Sequence, residues 1–125
     1  MERYILYIQI EFLLPGKVEN RKNIMVLIYT TCHDEESARK LAGMIIEKKL
    51  ASCVNIWRIG SIFKWEGQLK EEKEVAVLIK TVETKVQQIE DFISSIREYA
   101  IPFVGVLNIF RVNREYKEWM AKVIE

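Results

Sequence analysis

The stretch "EVAVLIKT" at 74–81 constrains this chain more than any other, because it is apolar on both sides. Val75, Val77 and Ile79 alternate with Ala76 and Leu78. In a strand, successive side chains point to opposite faces, so each face needs its own apolar cover. Helices can cover one face. The other calls for a second layer, and a subunit partner is the natural one. The third strand is therefore expected to lie in a subunit interface, with Val77 among its buried positions.

The neighbouring elements follow from periodicity and punctuation. "NIMVLIYTT" (23–31) is a continuous apolar run of strand length, as in a strand buried on both faces. Asp34 offers an N-cap oxygen, and Glu35 and Glu36 suit the positive end of a helix dipole. Ala38, Leu41, Ala42, Ile45 and Ile46 then form a helical stripe. Residues 52–81 read as one long hairpin with Gly67 at its tip and a bend at Gly60. Val86, Ile89, Ile93 and Ile96 mark a second helix, which Pro102 bars from continuing. "FVGVLNIF" (103–110) reads as a fourth strand, and Asn113 can cap a last helix carrying Tyr116, Trp119, Met120 and Val123. The order β-α-β-β-α-β with a terminal helix is the ferredoxin-like arrangement of the α+β class. The break "PGKVENRK" (15–22) divides an N-terminal extension, 1–22, from a domain at 23–125. The extension alternates with period two and reads as an edge strand or an arm.

Composition narrows the function classes. The chain has 125 residues, enough for one core, and carries 19 basic against 18 acidic residues. No global field draws it to nucleic acid. The apolar stretch at 4–16 is far short of the ~20 residues a membrane helix needs and lacks the flanks of a signal peptide. Neither nucleic acid nor membrane is expected as a partner. The two cysteines, Cys32 and Cys53, show no C-x-x-C or zinc-finger spacing and read as reduced thiols of a cytosolic protein.

Cys32 and His33 are the candidate metal residues, since a thiolate and an imidazole suit copper or zinc. Glu66 or Glu98 could add an oxygen. Against this, neighbours in extended chain point apart, and the favoured reading is a strand-to-helix corner with an exposed imidazole. Nucleophilic catalysis by Cys32 lacks a visible orienting group. Cys53 reads as a small core residue. Trp65, Lys80 and Tyr99 are candidates to surround an inter-subunit cleft, with interface packing as the favoured account of the tryptophans.

The segments "YTTCHDEESARKLA", "KKLASCVNI", "SIFKWEGQLKEEKEVAVLIKT", "YAIP" and "REYKEWM" resemble, in order and spacing, the CutA family of divalent-cation tolerance proteins. The resemblance runs from about Ile24 to the C-terminus. It implies a ferredoxin-like protomer in a homotrimer similar to the PII signalling proteins, with long hairpins crossing between subunits. It also implies a cytoplasmic, non-enzymatic protein associated with tolerance to copper (Cu2+) or another divalent metal ion. The chain departs from the family where a metal would sit. Where members carry H-P-Y-x-x-P, this chain has Arg97, Glu98, Tyr99 and Pro102. A ligand cysteine of some members aligns with Thr30. Arginine stays protonated and offers no lone pair to copper, so that ligand set does not carry over. Two alternatives stand beside the metal reading: a PII-like module binding a small anionic metabolite between subunits, and a structural trimer anchoring a partner.

Overall fold

The computed structural model describes residues 24–96 and 99–125. Its elements are β1 (Met25–Cys32), α1 (Glu35–Glu47), β2 (Cys53–Trp65), β3 (Gln68–Val82), a 3-10 turn (Glu83–Lys85), α2 (Val86–Ile96), β4 (Gly105–Asn108) and α3 (Arg114–Val123). The strands form one sheet in the order β2-β3-β1-β4, and every neighbouring pair is antiparallel. This is the ferredoxin-like topology, with the continuous apolar strands β1 and β3 in the middle. The extension call at 1–22 lies outside the described residues, as do Arg97 and Glu98.

One face of the sheet carries the main core. Val26, Ile28 and Cys32 of β1 and Val75, Val77 and Ile79 of β3 pack with Ala38, Leu41 and Ile45 of α1 and Ile89 and Ile93 of α2. The stripe on α1 is narrower than its sequence suggests: Ile46 is exposed. Val77 is fully buried in this core, under the helices. That corrects its expected place in an interface, because the alternation assigns Ala76 and Leu78, not Val77, to the second face.

The register assigns that second face. Leu27, Tyr29 and Thr31 share it with Lys80, Leu78 and Ala76 of β3 and with Leu107 and Gly105 of β4. The C-terminal helix covers one end, where Met120 packs on Met25 and Val82 with help from Tyr116 and Ile124. The rest stays open. Trp57 is 44% exposed and Leu107 56%, and Trp57 lies 6.3 Å from the Tyr29 ring.

The corners explain how the chain turns. The Asp34 carboxylate accepts the Ser37 N–H at 2.8 Å, so the acidic cap expected there is formed. α1 ends in a Schellman motif: the Leu50 N–H reaches the Ile45 carbonyl and the Lys49 N–H reaches that of Ile46. Lys49, at φ 58°, takes the left-handed place that glycine usually fills. Thr81, fully buried, donates its hydroxyl to the Leu50 carbonyl at 2.6 Å and ties β3 to the end of α1. At the hairpin tip, Glu66 and Gly67 have φ 51° and 80°, as a two-residue primed turn demands. The β2–β3 ladder runs through Gly60, paired with Lys73, with no break at the expected bend. β4 is shorter than expected, and Asn113 occupies the N-cap of α3 without a side-chain hydrogen bond.

Candidate functional site

The cleft that best qualifies as a site lies on the second sheet face, where the hairpin leaves the body of the domain. Period two places Trp57, Ile59, Ser61, Phe63 and Trp65 of β2 on one face with Ala76, Glu74, Glu72, Lys70 and Gln68 of β3. The segment after α2 crosses this face. Between them opens a cleft of about 460 Å³ whose lining includes Phe63, Trp65, Glu72, Glu74, Tyr99 and Phe103. Trp65 is 48% exposed and Phe103 61%, so the walls are large aromatic surfaces that one chain by itself leaves uncovered.

Glu74 is the polar centre. The Tyr99 hydroxyl donates to its carboxylate, and the Ser61 and Thr31 hydroxyls lie near enough to favour its ionised form. Partial burial alone would raise the Glu74 pKa. The Ser61, Tyr99 and Thr31 hydroxyls and the nearby His33 outweigh it and hold the carboxyl below its ordinary range. Tyr99 shifts the other way: burial raises it first, and donation to Glu74 raises it further. The phenol therefore stays a donor and the carboxylate an acceptor. His33 completes the wall, with its ring centroid 4.1 Å from that of Tyr99.

Gly105 positions Phe103. A Cβ on Gly105 would sit 2.8 Å from the far end of the Phe103 ring, so the absence of a side chain lets that ring lie against the strand. Phe103 also meets Tyr29 edge-on at 6.2 Å.

The structure brings together only part of the expected set. Trp65 and Tyr99 line the cleft. Lys80 does not: it pairs with Cys53 and Leu27 at the other end of β3, and its ammonium lies 5.6 Å from the Tyr116 ring centroid. Cys32 and His33 diverge. Cys32 is buried in the main core, whereas His33 is exposed and faces Tyr99. Glu66 sits at the hairpin tip, and Glu98 is outside the described residues. Among the described residues no group of three His, Cys, Asp or Glu side chains is placed to hold a metal ion. The corner residues do not fit a resident copper or zinc site within one chain. Cys53 is only partly buried at the start of β2, outside the core to which the sequence assigns it.

Sequence reasoning missed Glu74, Glu72, Phe63 and Phe103. "KEEKE" (70–74) reads as a solvated face or turn, but counting back by twos from Leu78 and Ala76 puts Glu74 and Glu72 on the face of Trp65.

Among the described residues, no helix is long and apolar enough to cross a membrane. The CutA1 divalent ion tolerance protein family model matches residues 26–123. The chain is 36% identical over 99 residues to the divalent-cation tolerance protein CutA of Thermococcus kodakarensis, covering 79% of this chain and 95% of that one. It is 37% identical over 98 residues to the human protein CutA, covering 78% of this chain and 55% of the human one. The structure of the periplasmic divalent cation tolerance protein CutA from Archaeoglobus fulgidus superposes with a TM-score of 0.79 at 33% identity, covering 82% of this chain and all (100%) of that one. The match spans every element from β1 to α3, and on that basis the chain belongs to the CutA1 divalent ion tolerance protein family.

Proposed function

We propose that the chain is a non-enzymatic, homotrimeric protein of the cytoplasm that serves the cell's response to divalent metal ions, copper among them. The family match along the whole described domain is the observation that supports this most. The second sheet face supports the assembly. Tyr29, Trp57 and Leu107 form an aromatic and aliphatic surface that α3 leaves open, and a chain of this size gains by covering it.

The metal response does not require a resident ion in one chain. Cys32 lies in the core and His33 faces Tyr99, so among the described residues of one chain the corner offers no shared ligand pair, and a metal response would draw on more than one subunit or act indirectly. The anionic-metabolite alternative is not favoured. The cleft lining offers Lys70 against Glu72 and Glu74, and Lys80 is elsewhere.

The test is growth of the source organism with the gene deleted, across graded copper, zinc and cadmium. Sensitivity restored by the parent gene supports the reading. Growth indistinguishable from the parent strain under every metal overturns it.

A further inference from the structure

We propose that the apolar stretch 4–14 of the N-terminal extension docks, within its own chain, in the groove between the 3-10 turn and α3. The inference goes beyond the metal-response reading and does not depend on it.

The groove holds about 580 Å³. Its floor is apolar: Val82 comes from the end of β3, Met120 and Ala121 from α3, and Ile124 from the residue after it. It lies at the end of the sheet that α3 covers, apart from the open face assigned to assembly. Lys85 and Lys117 stand on its walls. Glu125, the acid on its lining, already pairs with Lys49 at 3.0 Å. An apolar floor between two ammonium groups suits an apolar segment that carries a single carboxylate.

The path of the chain brings such a segment to this place. Met25 pairs with Val82, and the Glu83 N–H donates to the Ile24 carbonyl at 2.9 Å. The extension therefore joins the domain beside Val82, at the edge of the groove itself. Residues 15–23 separate Leu14 from Ile24. Fully extended they reach roughly 30 Å, ample for a turn at Pro15-Gly16 and a return over the groove. A short flexible tether holds its end at an effective concentration on the order of millimolar. A contact too weak to retain a separate peptide therefore retains a tethered one.

The stretch has the matching chemistry. Nine of the eleven residues at 4–14 are apolar, and Glu11 is the one charged residue among them. Soluble proteins rarely leave so contiguous an apolar surface in water. Ile10, Phe12 and Leu13 can fill the floor while Glu11 meets Lys85 or Lys117. The aromatic cleft beside the hairpin suits the stretch less well, because Glu72 and Glu74 there outnumber Lys70 and repel Glu11.

Photo-crosslinking of the full chain, with p-benzoylphenylalanine in place of Phe12, tests the proposal. Mass spectrometry is expected to place the main cross-link on residues 82–85 or 117–124. Chains with and without a 15N label, refolded together, show whether a cross-link joins one chain or two; one is expected. Ala121→Glu, which fills the floor with a charge, should reduce the cross-link severalfold. Glu11→Lys should do the same without touching the folded domain, and Lys85→Glu with Lys117→Glu should restore it. A main cross-link on the hairpin or β4 would mean that the extension serves as an edge strand or as part of the assembly face. Cross-links only between chains would make the occupant a neighbouring copy's extension. Scattered cross-links would mean that the stretch does not dock. A cross-link indifferent to Glu11→Lys would remove the charge argument. Each of these four results overturns the proposal, and none depends on metal tolerance in cells.

Discussion

The Tyr99 hydroxyl donates a hydrogen bond to the Glu74 carboxylate, fastening the segment after α2 to the third strand. The Tyr99 ring also meets that of His33, so one residue joins the strand-to-helix corner to the hairpin base. The bond makes a prediction about pH. The Glu74 pKa is lowered in the folded state, so its contribution to stability is present above the unfolded pKa and fades as pH falls through the folded value. Tyr99→Phe removes one of the hydroxyls that lower it. In that variant the Glu74 carboxyl, followed by NMR, should titrate closer to its ordinary range, and the melting temperature should depend less steeply on pH across the acid range. An unchanged Glu74 titration would show that the hydrogen bond has no such role.

The Asp34 and His33 variants test the corner. Asp34 has its pKa lowered chiefly by the Ser37 backbone N–H, so the cap is strongest with the carboxylate ionised. Asp34→Ala should lower the melting temperature near neutral pH. The difference from the parent should shrink as pH falls through the folded Asp34 value. His33→Ala should cost about 0.5–1.5 kcal/mol, the worth of an aromatic contact. That is more than an unpartnered exposed side chain costs, because the imidazole is set against Tyr99. A difference for Asp34→Ala that persists in acid would mean that the cap does not depend on the charge.

Lys49 provides a test of backbone strain. It holds φ 58° at the end of α1 in a Schellman motif, and its side chain pairs with Glu125 at the surface. Lys49→Gly removes the Cβ penalty of the left-handed region, on the order of 1 kcal/mol, and loses an exposed ion pair of little worth. The variant should unfold at a higher denaturant concentration than the parent. A lower midpoint would show that the Lys49–Glu125 contact matters more than the strain.

Much of this was legible in the sequence because local chemistry decides it. Asp34 reads as a cap because its carboxylate needs only the N–H three residues on. The hairpin reads from Gly67 because a primed turn needs positive φ. Val77 lies under the helices instead of in an interface, and Lys80 lies apart from Trp65 and Tyr99 within one chain, for one shared reason. Both strand faces are apolar, so periodicity separates the two sets but does not say which set the helices cover or which end of a long strand lies near the cleft. The partnership of Glu74 with Tyr99 spans 25 residues and a chain crossing, which no local pattern encodes. Phe103 became a wall because Gly105 leaves room for its ring, a contact that appears only once β4 is in register with β1.

Metal titration distinguishes the corner from a site. With Cys32 in the core and His33 facing Tyr99, copper and zinc should find no tight site that both residues share. Cys32→Ser and His33→Ala should therefore leave calorimetric copper and zinc binding within error of the parent, apart from thiol oxidation by copper. A tight parent site, lost in both variants at matching stoichiometry per subunit, would restore a metal role at the corner.

The open second face underlies the account of assembly, and solution mass tests it most directly. Light scattering of the full chain at micromolar concentration should give three chain masses. Trp57→Glu, which places a charge on the open face where no helix packs, should reduce it to one or to aggregate while leaving the core residues untouched. A parent chain that is stable as a single chain at that concentration would contradict the account.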